Sequence, residues 1–167
     1  MSITQSLLPE FEHELAGLRR TLERVPVDRL DYRPHPKSFT LGELANHLAS
    51  IPSWTVSTMT AVELDFSLPE NQAKMPKPSA TVEGMLRILD EGVVAAREAL
   101  IQASDADYQV AWSLKNEGQV LLTLPRIAVI RGFVLNHLIH HRAQLTVYLR
   151  MLDIPVPSLY GPSADEA

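Results

Sequence analysis

The stretch Thr123–Leu152, TLPRIAVIRGFVLNHLIHHRAQLTVYLRML, decides the architecture. Turned about 100° per residue, it sets Ile130, Val134, Leu145, Tyr148 and Leu152 along one face. His137 and His141 fill the gap in that apolar stripe, one helical turn apart. Thr123 is the expected cap, Pro125 suits the first turn, and a helix running to Leu152 spans about 42 Å. A helix of that length with one apolar face needs other helices to cover it.

The covering segments lie upstream. Leu7, Phe11, Leu15, Leu18, Leu22 and Val25 recur at steps of three and four and predict a first amphipathic helix that ends at Val25-Pro26. After a loop holding Pro26, Pro34 and Pro36, Thr40 and Glu43 form a capping box for a second helix. Its inward stripe is Leu44, Leu48, Ile51 and Thr55. Pro52 falls inside that pattern, lacks an N–H and crowds the Leu48 carbonyl, so a kink or break is expected close to His47. Leu68 to Lys77 reads as a connection, and Ser79 or Thr81 opens a third helix through Val82, Met85, Leu86, Leu89, Val93, Ala96 and Leu100.

Between the third helix and the last, the β-prone run Tyr108–Trp112, a turn over Lys115–Gly118 and Val120–Leu122 predict a small β-hairpin. Residues 153–167 contain Pro155, Pro157 and Pro162, cannot continue the helix and form an extended C-terminal tail, either a loose end or a strap. The fold class is therefore all-α, a single four-helix bundle domain over residues 1–167 with a small hairpin before the last helix.

With 46% hydrophobic residues in 167, the chain has enough apolar surface for one continuous core. A net charge of −5 and the lack of any Lys/Arg cluster argue against nucleic acid or anionic membrane as partner. The absence of cysteine removes disulfides, thiolate metal sites and thiol nucleophiles, so a bound metal must rest on imidazole and carboxylate. Met1 to Leu15 carries Glu10, Glu12 and Glu14 without the basic start and apolar run of a secretory signal. Val120–Leu138 is interrupted by Pro125, Arg126 and Arg131 and is too polar to span a bilayer, so a cytoplasmic location is expected.

The histidines carry the chemistry. His47 lies between Leu44 and Ile51 at steps of three and four, which turns it inward with His137 and His141. A lone histidine on an apolar face is ordinarily a hydrogen-bonded core residue. Three of them, from two helices, cost free energy to bury unless one shared divalent ion satisfies a ring nitrogen of each. His47, His137 and His141 are thus the expected metal ligands, and three neutral donors leave an ion its full charge and an open position.

His140 also pairs with His137 at i, i+3 but lies about 90° off the stripe, a supporting or interfacial position. His13 and His35 read as surface residues. Leu138, where a zincin has its catalytic Glu directly after the first His, excludes that peptidase motif. A di-iron bundle needs two Glu-x-x-His motifs and two further Glu, whereas the chain offers only Glu10 with His13, off the Phe11 stripe.

Three segments resemble the DinB/YfiT-like metal-binding bundles, a name unrelated to the DNA polymerase that shares it. They are Phe39–Leu48 (FTLGELANHL), Asn136–Gln144 (NHLIHHRAQ) and the ending Val156–Glu166 (VPSLYGPSADE), and the similarity extends over nearly the whole chain. Ala143 stands where the family usually has Gly. The resemblance implies metal ligation by His47, His137 and His141, with zinc or nickel foremost and iron or manganese as alternatives. It also implies a bacterial homodimer, and for several members thiol-dependent S-transferase or isomerase activity. The corresponding expectation is a metal-dependent enzyme joining a low-molecular-weight thiol to a small-molecule substrate, or a hydrolase-like activity at the same site. The competing functions are a non-catalytic metal-binding or stress-response bundle and a dimerising scaffold. Within this frame Tyr160 is expected to pack, Glu43 to cap, and Trp54 and Tyr148 to fill the core.

Overall fold

The computed structural model describes residues 2–166. Helix α1 (Ile3–Leu22) opens with a capping box from Ser2 and Gln5 and buries Leu7, Phe11, Leu15, Leu18 and Leu22 completely or nearly so. Helix α2 (Leu41–Ser50) is followed by a 3-10 turn at Ile51–Ser53 and helix α3 (Trp54–Thr60). The expected break at Pro52 is therefore present: the proline cannot donate to the ladder, and the α-helix gives way to a 3-10 turn before it resumes as α3. Helix α5 (Val82–Gln102), preceded by the short α4 (Pro69–Gln72), is capped by Thr81, whose hydroxyl accepts from the Gly84 N–H at 3.1 Å.

The last helix departs from expectation at its start. Thr123 does not cap it. Strand β3 runs on through Gln119–Pro125, and the hydroxyls of Thr123 and Ser113 hydrogen-bond across the sheet at 2.8 Å. The helix opens as α7 (Arg126–Val129), passes through a π-helical segment at Ile130–Asn136 and continues as α8 (His137–Met151). A π segment carries one residue more than the α-helical turn it replaces, so the buried line shifts by one. It runs Ile130, Val134, Leu138, Arg142, Leu145, Leu149, and the histidines flank it rather than sit in it.

The hairpin is real but larger and later than expected. Tyr108 belongs to a short helix α6 (Asp105–Gln109) and is fully buried, its hydroxyl donating to the Leu100 carbonyl at 2.9 Å. Strand β2 (Ala111–Asn116) pairs antiparallel with β3 around a two-residue turn, Glu117 at φ 51° and Gly118 at φ 76°. Strand β1 (Glu63–Asp65), unforeseen because three residues carry no readable alternation, adds in parallel to give the order β1-β2-β3.

Helix α5 lies against α1, α2 and α3, while α8 lies against α1 and α2, so one core fills the space between the four principal helices. The tail is a strap, not a loose end. Asp165 accepts from the Val156 N–H at 2.8 Å and pairs with Arg150, while Glu166 pairs with Arg24 and accepts from the Ser158 N–H at 3.0 Å. Among the described residues no helix is long and apolar enough to cross a membrane.

Candidate metal centre

His47 is placed by devices local to α2. The Thr40–Glu43 capping box starts the helix, with the Glu43 carboxylate accepting from the Thr40 N–H at 2.7 Å. Next to His47, the Asn46 amide donates to the Ser79 carbonyl at 2.9 Å and accepts from the Ser79 N–H at 2.7 Å, which moors α2 to the approach to α5. Leu44 and Leu48, buried on either side, orient the helix so that residue 47 faces α8. His137 and His141 leave α8 one turn apart, directly after the π segment.

The three rings meet. Their centroids lie 5.0 Å (47–137), 4.8 Å (47–141) and 4.6 Å (137–141) apart. Each offers a nitrogen, and those nitrogens all lie within 4.8 Å of one another. Nε2 of His47 and Nε2 of His137 are 2.9 Å apart, near the roughly 3.3 Å that separates two ligands of a tetrahedral ion at ordinary bond lengths. Nδ1 of His141 stands 2.7 Å from the Oε1 of Gln144, so donation there leaves its Nε2 lone pair free.

Electrostatics keep the rings neutral. Burial, then the neighbouring His141 and His137, push His47 down from 6.5 to about 4. His137 is lowered by burial and by His141 and His140; His141 is lowered by burial and by His140, against the opposing hydrogen bond to Gln144. Neutral imidazole is the ligating form. The donor set therefore fits a divalent ion: three uncharged nitrogens from two helices, half-buried, and among the described residues no carboxylate or further histidine joins the cluster.

Aromatic walls flank the rings. Phe39 lies 5.9 Å from His47 and 6.1 Å from His141; Trp54 stands edge-on 5.5 Å from His47 and 5.3 Å from His137. Trp54 is thus part of the site and not simply a core aromatic, and its indole Nε1 is buried without a hydrogen-bond partner. Tyr148 is core-like, 7% exposed, yet its hydroxyl donates to the Phe39 carbonyl at 3.0 Å and fixes that wall. A cleft of about 290 Å³ opens onto His141 between Lys37, Ser38, Phe39, Gln144 and Tyr148.

The other singled-out residues fall elsewhere. Glu43 caps and is exposed; His13 and His35 are exposed. His140 is exposed with its ring 4.9 Å from that of His141, outside the triad. Tyr160 does not simply pack: it completes a polar lock behind α8, where Arg142 donates to the Glu14 carboxylate at 2.6 Å and to the Tyr160 hydroxyl at 2.5 Å, and Tyr160 donates to Glu14 at 2.7 Å. Sequence reading missed Gln144, Phe39 and Arg142. Gln144 carried a signal, three residues after His141 and so on the same helix face; Phe39 lies in a loop, where periodicity says nothing.

Comparison with known proteins agrees with this fold. A relative described as the uncharacterized protein YrdA of Bacillus subtilis is 25% identical over 163 residues, covering 95% of this chain and 89% of its own. The crystal structure of a DinB-like protein from Bacillus cereus superposes with a TM-score of 0.72 at 21% identity, covering 95% of this chain and 98% of that one. A DinB-like protein of Bacillus subtilis, YjoA, gives 0.70 at 13% identity, with 95% and 99% covered. The model of the DinB family matches residues 1–167, the solved DinB-like structures share the fold, and the chain belongs to the DinB family.

Proposed function

We propose that this chain is a metal-dependent enzyme in which His47, His137 and His141 hold one divalent ion, zinc or nickel, for a reaction between a low-molecular-weight thiol and an electrophilic small molecule. The observation that supports it is the meeting of three neutral imidazole nitrogens within 4.8 Å, joined by no carboxylate or further histidine among the described residues. When bound, such an ion supplies Lewis acidity that lowers the pKa of a thiol or water at its open position.

The rest is the work of the chain itself. Gln144 holds the His141 ring in one tautomer, and the hydrophobic edges of Phe39 and Trp54 keep water from two sides of the triad. The cleft beside His141 is one approach route, and the Lys37 ammonium at its edge draws anionic groups toward it. In the net reaction the thiol gives up its S–H proton to water in the cleft, an S–C bond forms, and the leaving group departs with the electron pair of the broken bond.

The test is elemental analysis of tag-free protein beside His137→Ala. The expected result is about one ion per chain, falling by about tenfold or more in the variant. Unchanged metal content rejects the ligand assignment. Metal-loaded protein is then assayed with thiols and electrophiles. Failure of every thiol to support turnover leaves a non-catalytic metal-binding bundle.

A further inference from the structure

On the far side of Trp54 from the triad lies a second cavity, of about 270 Å³. It exists because the three-stranded sheet leans across α3 and the π segment without closing on them. The sheet contributes Trp112, Leu114 and Leu122; the last helix contributes Val129 and Val134. The hydroxyls of its lining, Ser57 and Thr58, both donate to the Trp54 carbonyl, at 3.0 and 2.9 Å, and the Trp112 indole donates to the Ser57 carbonyl at 3.3 Å. These polar groups are thereby spent on the protein, and a cavity so lined favours an apolar occupant over water.

Two further observations point to a small molecule. The mouth is ringed by Phe66, Met75 and Phe133, which remain 45%, 49% and 36% exposed, an apolar rim without a protein cover. The wall facing the triad is the Trp54 indole, in contact with His47 and His137 on one side and with the cavity on the other. Its Nε1 is itself buried, so the face that the indole turns to the cavity is apolar, like the rest of the lining.

We propose that this cavity binds the apolar body of the substrate, an aromatic or branched aliphatic group up to about twice the bulk of benzene, with the polar reacting end passing the Trp54 edge toward the histidines. The assignment to a substrate rests on the metal-enzyme reading above; the binding of an apolar group does not.

The chain has two tryptophans, Trp54 and Trp112, and both line this cavity, so intrinsic fluorescence reports on it directly. The full chain, metal-free, is titrated with bromobenzene, a contact quencher. Saturable quenching is expected, weakened about tenfold or more by Leu122→Phe, which fills the cavity from β3, and retained in His137→Ala. Should Leu122→Phe not fold by circular dichroism, Leu64→Phe fills it from β1 instead. Quenching that fails to saturate, or that neither filling variant weakens, overturns the proposal.

The second arm uses 4-bromothiophenol, the same body with a thiol head, and zinc. Zinc is expected to tighten its binding about tenfold or more in the wild-type chain and not in His137→Ala. No tightening in protein shown by dialysis to hold zinc overturns the link between cavity and triad. Failure of zinc to bind at all overturns the metal reading while the bromobenzene result stands.

Discussion

Neutrality at His47 has a measurable price in acid. A histidine whose pKa in the fold, about 4, lies below the ordinary 6.5 takes up its proton more readily in the unfolded chain. Its contribution to stability is complete above 6.5 and is lost as the pH falls toward 4. The Tm of the metal-free protein should therefore decline over that interval, and His47→Ala should flatten the decline; equal slopes in the two proteins would contradict it. Behind α8, Arg142 is 2% exposed and held by the carbonyl and carboxylate of Glu14 at 2.7 and 2.6 Å. A Cβ at position 17 would lie 2.5 Å from its Nη1, and the guanidinium, pinned from three directions with Tyr160, cannot retreat. Gly17→Ala should cost about 1–3 kcal/mol in a urea melt.

At the scale of elements, the turn between β2 and β3 invites an improvement. Glu117 adopts a left-handed φ of 51° that asparagine tolerates better, and Asn-Gly is the preferred pair for such a turn. Glu117→Asn should raise stability by about 0.5–1 kcal/mol, read as a higher Tm. What the sequence disclosed follows the strength of each periodic signal. The long amphipathic runs of α1, α5 and α8, and the Thr40 cap, were legible because each repeats or pairs over several residues. Strand β1 was not, being three residues whose identity as a strand comes from its neighbour β2. The start of the last helix was misread because Thr123 suits both an N-cap and a strand, and the sheet pairing with Ser113 decides between them. The histidines were found although the π segment slid the buried line onto Leu138 and Arg142, because an i, i+4 pair survives a one-residue rotation of its helix.

Over the whole molecule, the strap closes the end of the chain onto both α1 and α8. Arg150 holds the Asp165 carboxylate below its usual pKa, helped by the Val156 N–H. Asp165→Asn should loosen residues 153–166, seen as faster proteolytic trimming of the tail while the bundle stays intact; unaltered trimming would show that Arg24 and Glu166 suffice. The triad spans the chain in a different sense. Its two nearest nitrogens belong to residues 90 positions apart, with the second on the final helix. During synthesis a nascent chain displays one imidazole long before the others emerge, and a single imidazole grips an ion weakly. On the proposed metal reading, ion capture by the triad would be a post-translational event coupled to the closing of α8, and starving a cell of metal would be felt first by newly made copies rather than by old ones.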